Sequence, residues 1–311
     1  MKYFDLHCDT MTGLAAVGGN LDSDAAVSID KKKAAGFDAY VQCFAAFISD
    51  EYRNQAATEK WDSIYDCFQR QMALFPEEIE QVKSFADLKR ITAAGKIAAI
   101  LTTESGAAFG GKLEKIAEMR EKGCLITTLT WNDATELAGG VYTPDIGLTS
   151  FGKEALQEME RVGMIADVSH LCDKALDDMF LYAKKPFIAT HSNSRSRCNA
   201  MRNLRDDQIQ EMVKRRHLIG LNYGIYFLND QNPKASTMKD MVRHIEHFLE
   251  LGAEDVMAMG SDFDGTAIPK EFDSLDKVPA LYTAVAEAVG VEIADKLFYE
   301  NARNFFAQNL K

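Results

Sequence analysis

Eight short apolar runs punctuate the chain, at 3–6 (YFDL), 39–47 (AYVQCFAAF), 96–101 (KIAAIL), 125–129 (LITTL), 163–168 (GMIADV), 186–190 (PFIAT), 217–222 (HLIGLN) and 256–260 (VMAMG). Each is short and rich in branched or apolar residues, as strands buried on both faces are. Between them lie stretches such as 153–161 (KEALQEMER) and 206–216 (DDQIQEMVKRR), with helix-period apolar spacing and good helix formers. Eight strands alternating with helices in 311 residues predict a (β/α)8 TIM barrel, α/β in class, filling one domain over 1–311. An open, doubly wound sheet has the same strand content and is the alternative. The interval 47–96 is too long for a single loop-helix-loop unit, so extra helices are expected after the second strand. No repeat, low-complexity segment, linker or composition break divides the chain.

Composition narrows the function classes. With 47% apolar and 26% charged residues the chain is ordinary globular material, and its net charge of −12 argues against nucleic-acid or anionic-membrane surfaces. The two basic runs, 31–33 and 214–216, read as solvated helix faces. No run of 18 apolar residues offers a membrane span, and no signal peptide is expected ahead of Tyr3. The six cysteines are scattered without a C-x-x-C pair, which favours free thiols and a cytoplasmic location.

The polar residues at the strand ends carry the candidate chemistry, because barrel enzymes place their sites there. The first strand closes on His7-Cys8-Asp9 and the third on Glu104. The fifth is followed by His170, the sixth by His191 and the eighth by Asp262. Alternate strand residues share a face, so His7 and Asp9 can point to one site while Cys8 faces away, buried and inert. Imidazole nitrogen and carboxylate oxygen together suit zinc or a similar divalent ion. Five such ligands exceed what one catalytic zinc takes. They fit two ions roughly 3.5–4 Å apart, bridged by one carboxylate, with a water activated between them. Glu104, alone on its strand, is the expected bridge.

Each residue has a blander explanation taken singly. A His-x-Asp pair is ordinarily hydrogen-bonded structure, a Glu before Ser-Gly can cap a helix, and a lone histidine is usually partly buried packing. It is their joint placement at strand ends that favours a metal site. Other candidates fall away. His244 and His247 read as a solvated helix face, 105–111 as a tight glycine-rich loop, and His217, at a strand start, as uninvolved. With no G-x-S-x-G elbow, Ser169 and Ser192 do not suggest a serine hydrolase.

The motifs DLHCDT (5–10), Glu104-Ser105-Gly106, DVSH (167–170), ATHSNSR (189–195), MRN (201–203) and GSDFDG (260–265) resemble the membrane dipeptidase (renal dipeptidase) family, zinc peptidases of the amidohydrolase-like barrel class. The resemblance implies that His7 and Asp9 bind one zinc, that His170 and His191 bind the other, and that Glu104 bridges the two. It implies a bridging hydroxide as nucleophile, Asp262 as the acid/base, and Arg202 as the clamp on the substrate's C-terminal carboxylate. Asn222 and Tyr223 are expected pocket wall. Renal-type members carry a histidine where this chain has Trp131; Trp131 and Asn132 therefore join the candidate substrate residues, with Asn132 a possible replacement donor. The implied substrate is a dipeptide, with a D-residue allowed on its C-terminal side, and the implied protein is a soluble bacterial-type intracellular member, with a homodimer possible. A metal-dependent amidohydrolase acting on an N-acyl amino acid or lactam, and a non-catalytic binding barrel, are the competing functions.

Overall fold

The computed structural model describes residues 1–22 and 27–310. Among the described residues nine parallel strands form one sheet: β1 (Lys2–Cys8), β2 (Ala39–Phe47), β3 (Ile79–Gln81), β4 (Ile97–Glu104), β5 (Cys124–Thr128), β6 (Ile165–Asp167), β7 (Ile188–Ala189), β8 (Leu218–Asn222) and β9 (Met257–Gly260). All except β3 close into a barrel in the order β1-β2-β4-β5-β6-β7-β8-β9, with β1 pairing both β2 and β9. Each of the eight apolar runs holds one barrel strand, so the fold is the (β/α)8 barrel and the open-sheet alternative is excluded.

The long interval after β2 holds the amphipathic helix Asn54–Leu74, then β3, then the helix Phe85–Ala93. The extra helix was expected and the strand was not. β3 pairs with residues 97–99 of β4, on the edge that β5 takes over from Leu101 onward. The extra helix is tied to the barrel by the Trp61 indole N–H, which donates to Thr103 Oγ1 at 2.7 Å.

Strand irregularities set up the site. Asp5 pairs with Gln42 but Cys8 pairs with Phe44, so β1 carries one extra residue there. That bulge re-phases the in–out alternation just before the functional residues. Phe4 and Leu6 pack in one apolar cluster with Phe305 and Phe306 of the C-terminal helix Asn301–Asn309. Cys8 falls in the other, with Tyr3 and Met11, as a buried free thiol. β6 and β7 are shorter than their apolar runs because the Asp167 side chain takes over the pairing. Its Oδ1 accepts the backbone N–H groups of Ser169 (3.0 Å) and Thr190 (2.9 Å).

Beyond β7 the chain leans across the barrel, and two glycines make room for it. A Cβ on Gly220 would sit 2.0 Å from the Thr190 carbonyl oxygen, and one on Gly260 1.8 Å from the same atom. His191 thereby reaches the mouth of the barrel. One sequence-based expectation is corrected on the helix Met238–Glu250, where His244 and His247 are buried, not solvated. His244 Nδ1 accepts the Ser194 N–H (3.2 Å), and His247 lies between Asp206 (2.9 Å) and Glu250 (3.1 Å). Among the described residues no helix is long and apolar enough to cross a membrane.

Because the obstructing atom at Gly220 is backbone, Gly220→Ala is expected to lower unfolding stability by about 1–3 kcal/mol. Gly13→Ala, on a helix with nothing within 4 Å of the new Cβ, is expected to raise it by about 0.5–1 kcal/mol. Denaturant midpoints of the two variants and wild type check both signs.

Candidate metal centre

The carboxyl ends of five barrel strands bring six polar side chains together. His7 is the penultimate residue of β1 and Asp9 lies just past its end; Glu104 ends β4; His170, His191 and Asp262 lie just beyond β6, β7 and β9. All six are buried. His7 Nε2 stands 3.6 Å from Asp9 Oδ2, 3.5 Å from Glu104 Oε2 and 3.9 Å from Asp262 Oδ1. Glu104 Oε1 stands 2.7 Å from His170 Nε2 and 3.7 Å from His191 Nε2. Glu104 Oε2 thus faces His7 and Oε1 faces His170 and His191, while the His7 and His191 rings themselves stack with centroids 3.9 Å apart.

Hydrogen bonds on the far side of the imidazoles fix where their lone pairs point. His170 Nδ1 lies 3.0 Å from Asn132 Oδ1, an acceptor only, so Nδ1 carries the proton. His191 Nδ1 lies 2.7 Å from Thr190 Oγ1, whose own hydroxyl donates to Asp167 Oδ2 at 2.6 Å; the His191 proton is again on Nδ1. Both Nε2 atoms therefore present lone pairs, yet they approach to 3.0 Å while facing the carboxylate oxygen Oε1. Mutual repulsion of such atoms is relieved when a cation sits among them. On the other side His7 Nε2 and Asp9 Oδ1 are buried without any hydrogen-bond partner, a cost that ligation would remove. The donor set of imidazoles and carboxylates fits zinc or a similar divalent ion.

Electrostatics agree. Burial, helped by the Asp9 charge, pushes Glu104 up to about 7, and burial pushes Asp262 up to about 6. Burial holds His170 and His191 well below the usual imidazole range, in the neutral form that ligates metal. His7 goes the other way: against burial, the Glu104 and Asp9 carboxylates hold it well above its ordinary value. Without a cation these carboxylates draw protons; with one they need none.

Backbone geometry has been bent to this arrangement. His170 (φ 71°) and Asp262 (φ 62°) occupy the left-handed region that side-chain-bearing residues avoid. A Cβ on Gly265 would lie 2.1 Å from Asp9 Oδ2 and 2.4 Å from Asp262 Oδ1, so only glycine allows both carboxylates to close on the chain there.

Two buried carboxylates that sequence reasoning did not single out support the site from behind. Asp167 accepts from Thr128 Oγ1 (2.5 Å) and Thr190 Oγ1 (2.6 Å), besides the two backbone bonds above, and so anchors the His191 orientation. Asp5 accepts the Ser261 N–H (2.8 Å) and hydroxyl (2.6 Å), tying β1 to the turn that carries Asp262. The available signal was a charged residue inside an otherwise apolar strand run.

Above the six residues opens a cavity of about 650 Å³, lined among others by Arg202, Trp131, Asn132 and Phe47. Arg202 sits over the Phe227 ring at 5.5 Å, with its Nε buried and unpartnered. Asn222 is beneath the cavity, not in its wall: its amide donates to Asp262 Oδ2 at 2.9 Å. Tyr223 is corrected outright, since it is fully buried behind the barrel wall, its hydroxyl 2.9 Å from that of Tyr3. Adjacent residues at the end of β8 face opposite sides, so only one of this pair could reach the site.

A closed parallel barrel with candidate histidine and carboxylate ligands at its carboxyl face is the arrangement expected of a metal-dependent hydrolase of the barrel class. The family model described as Membrane dipeptidase (Peptidase family M19) matches residues 1–308, and the chain belongs to that family. It is a metal-dependent peptidase. An uncharacterized protein in the pqqA 5' region of Klebsiella pneumoniae is 30% identical over 228 residues, 70% of this chain and 84% of that protein. A metallopeptidase from Rhodobacter sphaeroides, liganded with a phosphinate mimic of the dipeptide L-Ala-D-Ala, superposes with a TM-score of 0.93 at 24% identity, covering 99% of both chains. The metallopeptidase dipeptidase AC superposes with the same TM-score and identity over 100% of this chain and 99% of its own.

Since Asn132 fixes the His170 ring, Asn132→Ala is expected to weaken divalent-metal affinity by about 10- to 100-fold. Competition titration with a chelator measures it, and an unchanged affinity would remove Asn132 from this role.

Proposed function

We propose that the chain, folded as one domain over 1–311, is a dinuclear zinc dipeptidase that cleaves free dipeptides, including those with a D-residue at the C-terminal side. The observation that carries this reading is the split of Glu104, with Oε2 3.5 Å from His7 and Oε1 2.7 Å from His170. His7, Asp9 and Glu104 Oε2 would hold one zinc; Glu104 Oε1, His170 and His191 would hold the other. When bound, the pair would supply Lewis acidity and lower the pKa of the water that attacks.

Asp262 does the proton work. Asn222 holds its Oδ2 at 2.9 Å, while Oδ1 faces the site 3.9 Å from His7. That carboxylate, buried at the floor of the cavity, would take the proton of the attacking water and return it to the leaving amine. Arg202 faces the cavity with nitrogen donors to spare and pairs with the substrate's C-terminal carboxylate. Such a clamp admits a residue that ends the chain and rejects a mid-chain bond, and it is indifferent to the chirality of the carbon beside it. The dipeptide mimic held by the Rhodobacter sphaeroides metallopeptidase is in keeping with this substrate. Asn132, expected as a replacement donor for the family histidine, has its Oδ1 committed to His170, which leaves its amide N–H₂ for a substrate oxygen.

Asp262→Asn is expected to lower kcat by about 10²- to 10⁴-fold while metal content stays as in wild type. Arg202→Met is expected to raise KM for a dipeptide by about 10- to 100-fold and to leave hydrolysis of its C-terminal amide nearly unchanged. Steady-state kinetics on the acid and amide pair decide this. Equal cleavage of both by wild type would sink the carboxylate clamp.

A further inference from the structure

We propose that Phe47 and Trp131 form an apolar subsite that selects a large apolar side chain on the first residue of the dipeptide; this rests on the substrate reading above. The cavity of about 650 Å³ lies mid-range among pockets that enclose drug-sized ligands, and a glycine or alanine dipeptide would leave most of it to water. Its charged groups are not spread evenly. Arg202 comes from the segment after β7, and Phe227, under its guanidinium, from the segment after β8. Phe47 ends β2, which lies across the barrel from β7, and Trp131 follows β5, a quarter turn from β7, with its ring reaching to Phe47.

The two rings meet edge to face, with centroids 5.0 Å apart and planes at 72°, and Ala16 and Val141 line the cavity with them. The Trp131 ring is 6.4 Å from that of His170, so the wall begins where the ligands end. A dipeptide pinned by its carboxylate at Arg202, with its carbonyl over the ligand cluster, extends its first residue toward this wall. An edge-to-face aromatic pair offers apolar area and ring faces to that side chain and no charge to solvate an acidic one.

The test uses the zinc-reconstituted protein and phosphinate dipeptide mimics that differ only in the first side chain: glycine-, leucine-, phenylalanine- or aspartate-type. Titration calorimetry is run on wild type, Trp131→Ala and Trp131→Phe, with hydrolysis of the matching dipeptides measured in parallel. Leucine- and phenylalanine-type mimics are expected to bind wild type about 10- to 100-fold more tightly than the glycine type, with the aspartate type weakest. Trp131→Ala is expected to shrink that gap about tenfold, and Trp131→Phe to preserve most of it. Equal affinity across the first side chains overturns the subsite, as does failure of every mimic to bind. An equal weakening of all mimics by Trp131→Phe also overturns it, because the indole N–H would then be serving the common backbone. The expected order of affinities without hydrolysis of any dipeptide keeps the subsite and removes the dipeptidase reading instead.

Discussion

Asp9, Glu104 and Asp262 are buried within a few ångströms of one another and of three imidazoles, and this concentration of lone pairs is the constraint on which the rest of the structure depends. Charged carboxylates removed from water are costly unless something positive faces them. Inside the cluster His7 alone is held toward its charged form, while burial keeps His170 and His191 neutral. Divalent cations would satisfy the cluster in one stroke. They would replace the protons that Glu104 and Asp262 otherwise attract, separate two facing nitrogens, and give His7 Nε2 a partner.

The barrel supplies what such a cluster requires, namely rigidity from behind. Asp167 and Asp5 spend their carboxylates on backbone N–H groups and hydroxyls, so the strand ends that carry His191 and Asp262 cannot drift. The same demands explain the departures from regular structure. β6 and β7 give up ladder bonds to the Asp167 side chain, two glycines admit the segment leading to His191, and His170 and Asp262 accept left-handed backbone. The left-handed residues His170 and Asp262 lie at the mouth of the barrel, while Phe4, Leu6, Phe305 and Phe306 pack together in one apolar cluster.

Much of this was legible from residue order. Parallel strands buried on both faces read as continuous apolar runs, and all eight were found. The polar residues closing those runs were His7, Asp9, Glu104, His170, His191 and Asp262, and the structure brings those same residues together. What escaped had no local signal. β3 is three residues long, Ile-Glu-Gln, and exists because one edge of β4 lies open before β5 begins. Asp5 and Asp167 serve through contacts with segments far along the chain. His244 and His247 looked solvated because their helix is polar, yet packing against the segment after β7 buries them. Tyr223 was misplaced because its neighbour Asn222 takes the inward position. Tertiary contact, not propensity, decided each of these.

The central claim is that the cluster holds two ions shared by Glu104. Anomalous diffraction at the zinc edge, from crystals of the zinc-loaded protein, tests it most directly. Two peaks are expected, roughly 3.5–4 Å apart, one within reach of His7, Asp9 and Glu104 and the other of Glu104, His170 and His191. A single peak, or peaks that leave either histidine group without an ion, would contradict the account.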